Sequence, residues 1–358
     1  MSKRIALISS CAIETPPKGL SYGGLEKVVW LQAIAFASLG FDVTVFACED
    51  SEPIYVNGYG EYKVVTYCRK SMNVFEELNI LKEKYLSMLD EFDVIIDHSW
   101  LKTILVNKRF RHKTIGIHHA KYPPEYVIVN PRIYGVSKTH AREMSKLLGI
   151  EVGYIYNCVD VWNYEYSEDK ENYVLFLNRW SREKGVLNVL KFAKKYPDVK
   201  VVIAGSLFLA EPDTVAEVLK IASNLPNVEL RPEVTHREKI ELLKKAKATI
   251  FIPEPDYVEV FGLWAIESLL CGTPVISFPC GGIEELIENN KHGFIVHSLE
   301  EMYEKIKYEV EKLNPRELRR KGEEFEPVKI IQKYLIPKVH FQIYQFHKTK
   351  QKISYVSE

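Results

Sequence analysis

The sequence predicts an α/β protein built as two doubly wound parallel-sheet domains in series, and three observations predict it. Short β-branched runs alternate with helical patterns almost from end to end. Several strand runs, such as VVIAG at 201–205, are apolar throughout, as parallel strands covered on both faces must be. The 358 residues amount to roughly twice a common domain, long enough for two separate cores.

In the first half the strand pattern falls on Arg4 to Ser9, Asp42 to Ala47, Tyr62 to Tyr67, Asp93 to Asp97, Thr114 to Ile117 and Ile133 to Val136. In the second half it falls on Tyr173 to Asn178, Lys200 to Ala204, Asn227 to Arg231, Thr249 to Ile252, Pro274 to Phe278 and Phe294 to Val296. The polar stretch VDVWNYEYSEDKEN at 159–172 has no clean periodicity and reads as the linker. Residues 1–160 then form the first domain and 161–326 the second. A helix over 327–346 packs back across the first domain, and 347–358 is a tail.

With 48 basic and 48 acidic residues the net charge is zero, which gives no electrostatic footprint for nucleic acid and points to a small-molecule partner. The basic HKTKQK at 347–352 reads as a solvated end, with a weak membrane contact as the alternative. No run approaches the roughly 20 apolar residues of a membrane span, so a cytoplasmic protein is expected. Six cysteines without a C-x-x-C pair read as reduced, mostly buried thiols.

The segment VEVFGLWAIESLLCGTPV sets Glu259 just before an apolar helix and Glu267 about one turn inside it, and Gly272, Thr273 and Pro274 end the helix. The first turn of that helix, around Phe261, Gly262 and Leu263, presents backbone N–H groups without helical partners and the positive end of the dipole, a seat for phosphate. Carboxylates on either side suit sugar hydroxyls, although a glutamate on a helix is ordinarily a solvated one. Upstream, LNRWSREKG puts Arg179 directly after a strand and Lys184 at a helix entry, where doubly wound sheets bind ligands. Two cations there can neutralise a pyrophosphate without metal; a lone cation in such a loop is otherwise simply solvated. Gly281 and Gly282 allow close backbone approach, or make a plain tight turn. Neither a P-loop nor a G-x-G-x-x-G pattern occurs after a strand.

These pieces, with CGTPVISFPCGGIEELI and YGGLEKVVWLQAIAFASLGFDVTVFA, resemble in order the retaining glycosyltransferases of family 4, whose GT-B fold has two Rossmann-like domains facing across a cleft. The resemblance implies that Arg179, Lys184 and the N–H groups of Phe261 to Leu263 hold the diphosphate of a nucleotide sugar. It implies that Glu259 accepts from the donor hexose and Glu267 from the ribose, with the base near Glu233 and Val234. Gly23 and Gly24 would close on the phosphates from the first domain. A histidine beside the donor sugar is implied at TIGIHHA, where His118 aligns best and His119 is the rival; DVIIDHSW offers His98 for the acceptor side. Asn178 before the arginine, Cys158 in YNCVD and the missing serine ahead of Glu259 depart from the family pattern without removing an assigned charge.

The implied reaction moves a hexosyl unit from a UDP-, GDP- or ADP-linked donor to an acceptor hydroxyl on a sugar, metabolite or lipid-linked molecule, with retention. Arg179, Lys184, Glu259 and His118 carry it, and neither metal nor other cofactor is expected. Another GT-B enzyme, such as a nucleotide-sugar epimerase, or a non-catalytic binding subunit are the alternatives.

Overall fold

Strands of the described residues, which are 2–18, 23–123 and 132–344 of this computed structural model, assemble into two separate parallel sheets. The first contains β1 (Arg4–Ile8), β2 (Asp42–Cys48), β3 (Lys63–Cys68), β4 (Val94–Asp97), β5 (Thr114–Ile117), β6 (Ile133–Gly135) and β7 (Gly153–Tyr154) in the order β3-β2-β1-β4-β5-β6-β7. The second contains β8 (Val174–Leu177), β9 (Val201–Gly205), β10 (Val228–Pro232), β11 (Ala248–Phe251), β12 (Val275–Ser277) and β13 (Gly293–Ile295) in the order β10-β9-β8-β11-β12-β13. Every expected strand is present, with ends shifted by a residue or so. Only β7 was not foreseen, because two residues are too few to show an alternation.

In the first unit, Ile5 of β1 lies between Val43 of β2 and Val94 of β4, and all three are buried. All five residues of β9 are buried, which explains its unbroken apolar run. Full burial of each such valine or isoleucine is worth about 1.5–3 kcal/mol. The strand order reverses between β1 and β4, and again between β8 and β11. Loops leaving the carboxyl ends of neighbouring strands diverge at such points, and the crevice left between them is where sheets of this kind bind ligands.

The chain divides into one unit of residues 2–18, 23–158 and 326–344 and a second of 159–325. The polar stretch 159–172 is docked on the second unit. Lys170 Nζ donates to the Lys244 carbonyl at 2.8 Å, the Cys271 carbonyl at 3.0 Å and Thr273 Oγ1 at 2.8 Å, satisfying acceptors at the ends of the helices His236–Lys245 and Leu263–Leu270. Arg319 holds the carbonyls of Tyr164 and Leu270.

The last helical segment begins at Pro327–Ile330, widens into a π turn at Ile331–Leu335 and is helical again over 336–344. Pro337 follows the wide turn, which makes room for its ring and its missing N–H. Its first turn packs on the helix Gly24–Ser38 of the same unit. The expected end of this helix at 346 and the basic tail lie outside the described residues. Among those described, no helix is long and apolar enough to cross a membrane.

One expectation is overturned. Cys11 and Cys68 form a disulfide, while Cys48, Cys158, Cys271 and Cys280 lie outside it as buried thiols. The two partners stand 57 residues apart in sequence, so no short motif announces them. They meet because β1 and β3 flank β2 and run parallel, which brings the loop after β1 and the end of β3 to one sheet edge.

Candidate functional site

In the second unit the loop after β8 carries Arg179 and Lys184. Gly185, at φ 78°, caps the helix Val186–Lys195, and a Cβ there would lie 1.7 Å from the Ile252 carbonyl oxygen. Only glycine allows this approach, and it brings Lys184 beside the segment that follows β11. Lys184 Nζ donates to Glu259 Oε2 at 2.6 Å, and both side chains are largely buried. The Tyr257 hydroxyl reaches the same oxygen at 3.5 Å, and the Lys184 ammonium lies 4.6 Å from the Tyr257 ring centroid. Burial and the Glu259 charge push the Tyr257 hydroxyl far above its ordinary pKa, keeping it a donor. Arg179 Nη2 pairs with Glu183 at 2.5 Å.

Gly262, at φ 99°, caps the helix Leu263–Leu270, where every residue from Trp264 onward is buried. Glu267 therefore sits inside an apolar wall at 7% exposure. Its Oε1 accepts from the Tyr164 hydroxyl at 2.6 Å and from Lys239 Nζ at 2.9 Å. The glycine pair does more than turn the chain. A Cβ on Gly281 would lie 2.6 Å from the Glu259 carbonyl oxygen, and one on Gly282 would lie 2.9 Å from Phe261 Cα, while Gly282 N–H donates to the Glu259 carbonyl at 2.7 Å. The pair braces the backbone from Glu259 to Phe261. The Glu259 N–H also meets Cys280 Sγ at 3.3 Å, a thiol pushed up to about 12 by burial.

At the end of β10, Glu233 adopts φ 52° and Val234 is buried. The Glu233 carboxylate folds onto Ser206 Oγ at 3.2 Å and the Leu207 N–H, tying together the loops after β9 and β10.

The first unit holds the other predicted residues. Gly23, at φ 99°, caps the helix that opens with Gly24, and Glu26 in its first turn is buried and accepts from Ser10 Oγ. The His98 and His119 rings pair through Nδ1 and Nε2 at 2.9 Å, and His98 Nε2 meets Gln32 Oε1 at 3.1 Å. His118, at 1% exposure, faces His140 with ring centroids 5.9 Å apart. Burial pushes His98, His118 and His119 well below the usual imidazole range, with the Lys102 charge adding to it. All three rings are neutral at physiological pH. Under them Asp97 accepts the N–H groups of Ser99, Ile104 and Leu105 at 2.9–3.0 Å, and Glu77 accepts those of Trp100 and Leu101 at 2.9 Å.

Lys239, Tyr164, Tyr257 and Cys280 were not anticipated from the sequence. Tyr257 had a signal, since on an extended segment it points to the same side as Glu259 two residues on. Lys239 and Tyr164 had none, because only packing brings them to Glu267.

Residues 164–325 match the family model described as Glycosyl transferases group 1. A D-inositol 3-phosphate glycosyltransferase of Mycobacterium sp. (strain KMS) is 30% identical over 132 residues, which are 36% of this chain and 29% of that protein. The match thus spans less than a third of that relative's length. AviGT4, a glycosyltransferase involved in avilamycin A biosynthesis, superposes with a TM-score of 0.73 at 21% identity, covering 96% of this chain and 98% of the other. HepE of Anabaena in complex with UDP-glucose superposes with a TM-score of 0.63 at 16% identity, covering 97% and 99%. The chain has the GT-B fold, and its second unit carries the group 1 glycosyltransferase pattern.

Proposed function

We propose that this protein is a retaining glycosyltransferase that moves a hexosyl unit from a nucleotide diphosphate sugar to an acceptor hydroxyl, without a metal. The observation that carries the reading is the Lys184–Glu259 contact at the reversal between β8 and β11, with Arg179 on the same loop and the Leu263–Leu270 helix start beside it.

Such a site matches the charge that the reaction develops. Cleavage of the bond between the anomeric carbon and the diphosphate leaves positive charge on the sugar and negative charge on the departing phosphate. Arg179, Lys184 and the N–H groups of Phe261, Gly262 and Leu263 offset the negative charge. Glu259 accepts from hexose hydroxyls and fixes the ring. Glu267 accepts from the ribose, and Glu233 and Val234 border the base. His118, neutral and buried, serves as hydrogen-bond partner to the sugar, while His98 and His119 border the acceptor. The acceptor oxygen bonds to the anomeric carbon on the face the phosphate leaves, and its proton passes to the departing phosphate oxygen.

The cation set supplies the charge that a metal gives other transferases. HepE, whose complex contains UDP-glucose, supports a sugar nucleotide of this kind as donor. The test is incubation of UDP-, GDP- and ADP-hexoses with sugar, polyol and lipid-linked acceptors in the presence of EDTA. A glycosylated acceptor with the donor's anomeric configuration is expected. Conversion of donor alone to another hexose would identify an epimerase, and a donor that binds without turning over would identify a binding subunit.

A further inference from the structure

The 3₁₀ helix Val74–Leu81 follows β3, the edge strand of the first sheet, and takes no part in the reaction above. Such a helix has about three residues per turn, so side chains three apart eclipse and its sequence divides into straight rows. One row faces inward: Ile80 is buried in the core, and Glu77 is buried with its carboxylate on the N–H groups of Trp100 and Leu101. A second row is polar, and there Asn79 Nδ2 donates to Glu76 Oε2 at 2.8 Å. The third is apolar and faces out. Phe75 is 65% exposed, Leu78 45% and Leu81 37%, and Met72, one further step of three toward β3, is 49% exposed.

Single exposed apolar side chains are ordinary, but four in one register on a helix pinned from behind make a ridge. Glu77 and Ile80 keep the helix from rolling to hide it. The ridge is also narrow. A stable protein interface takes roughly 20–30 residues a side, so these four are too few to hold a second copy of this chain or another globular partner. Charge points to what they do fit. Arg69 lies three residues before Met72, and Lys82 and Lys84 follow Leu81 within three; all three cations are exposed, and none has an acidic partner among the described residues. The acids of the segment are engaged elsewhere, Glu76 with Asn79, Glu77 in the core and Glu83 facing Arg109 at 3.9 Å. The zero net charge of the chain is thus an average that this patch departs from.

We infer that this ridge on the first unit is a docking surface for an anionic membrane, entered by Met72, Phe75, Leu78 and Leu81 and bordered by Arg69, Lys82 and Lys84. A lipid surface meets both halves of the pattern. The apolar row sinks to the boundary of headgroups and acyl chains, and the cations lay their stems along it with their charges among anionic headgroups. A helix suits this depth because its backbone groups are already paired with one another. The inference does not rest on the donor-binding reading of the second unit, and its failure leaves that reading standing.

The experiment is co-sedimentation of the full chain with vesicles of phosphatidylcholine alone and of phosphatidylcholine mixed with phosphatidylglycerol, at low and high salt. The wild type should bind the anionic vesicles at least about ten-fold more tightly than the neutral ones and be released as salt rises. Phe75→Ser combined with Leu78→Ser should weaken that binding about ten-fold or more at an unchanged denaturant midpoint, since both side chains already face solvent. Arg69→Gln, Lys82→Gln and Lys84→Gln together should remove the preference for anionic lipid. Should the serine variant fail to fold, the glutamine variant, which alters only exposed side chains, carries the test. A wild type that binds neither vesicle or both equally, or a folded variant of either kind that binds as the wild type does, overturns the inference. Self-association without lipid that the serine variant abolishes would overturn it too, and would assign the ridge to a second copy of the chain.

Discussion

Lys184 Nζ lies 2.6 Å from Glu259 Oε2, joining the loop after β8 to the segment after β11 where the strand order of the second sheet reverses. The pair is at once a brace and a divided charge. Lys184 faces the leaving phosphate in the proposed reaction, and Glu259 the sugar. Glu259→Gln keeps the shape and removes the charge, and should lower kcat by about 100-fold or more with smaller loss of nucleotide affinity. Lys184→Met should lower both kcat and affinity, and should also destabilise the unit by about 3 kcal/mol, because it leaves a largely buried carboxylate without its cation. Steady-state kinetics with a denaturant titration of each variant separates the two effects. Equal loss of affinity in both variants would assign the pair to structure alone.

Gly281→Ala tests the brace behind Glu259. The added Cβ would lie 2.6 Å from the Glu259 carbonyl oxygen at a backbone φ of 58°. The segment carrying Glu259 must shift, so donor KM should rise about ten-fold although no side chain near the ligand has changed. An unchanged KM would place the pocket elsewhere.

The buried histidines predict acid lability. His98, His118 and His119 are pushed well below their ordinary 6.5, and His140 to about 4. Between those values and 6.5 the unfolded chain binds protons that the folded chain refuses, so this stabilisation is whole above pH 6.5 and is lost as pH falls below it. Glu77, raised to about 7 by burial, works in the opposite direction, since the folded form takes its proton first. Buried Glu26, also raised by desolvation, works with Glu77, and His292, lowered by burial, works with the other histidines; five histidines outweigh two carboxyls, and the denaturant midpoint should fall from pH 7 to pH 5. His140→Phe should flatten the slope by about one proton. A midpoint that rises as the solution is acidified would contradict the neutral assignment.

The Cys11–Cys68 bond predicts a thiol count. The denatured, unreduced protein should react at the four cysteines outside the disulfide, and the reduced protein at all six. With the partners 57 positions apart in sequence, closing the loop contributes about 4 kcal/mol on the chain-entropy account. Reduction should therefore lower the unfolding midpoint of the first unit. Six reactive thiols before reduction would remove the bond from this description.

The fold was legible because parallel strands leave a strong local trace. VVIAG could be nothing but covered on both faces, and the Gly262 and Gly272 boundaries of the Leu263–Leu270 helix are written as glycines. The positions of the charged groups of the second unit were legible for the same reason, since Arg179 and Lys184 follow a strand, Glu259 precedes a helix and Glu267 lies within it. Pairings across elements were not. No local pattern joins Cys11 to Cys68, nor brings Lys239 and Tyr164 to Glu267, because those contacts follow from strand order and helix packing. The glycine pair was left open between close approach and a plain turn. Its contacts with the Glu259 and Phe261 backbone decide for close approach.

Calorimetric titration of UDP-, GDP- and ADP-hexoses, in EDTA, into the wild type and into the Arg179→Ala, Lys184→Ala double variant tests the central claim most directly. The account predicts that one of these donors binds the wild type without metal and binds the folded double variant at least about 100-fold more weakly. Equal affinity in the two proteins, or binding that appears only when magnesium or manganese is restored, would contradict it.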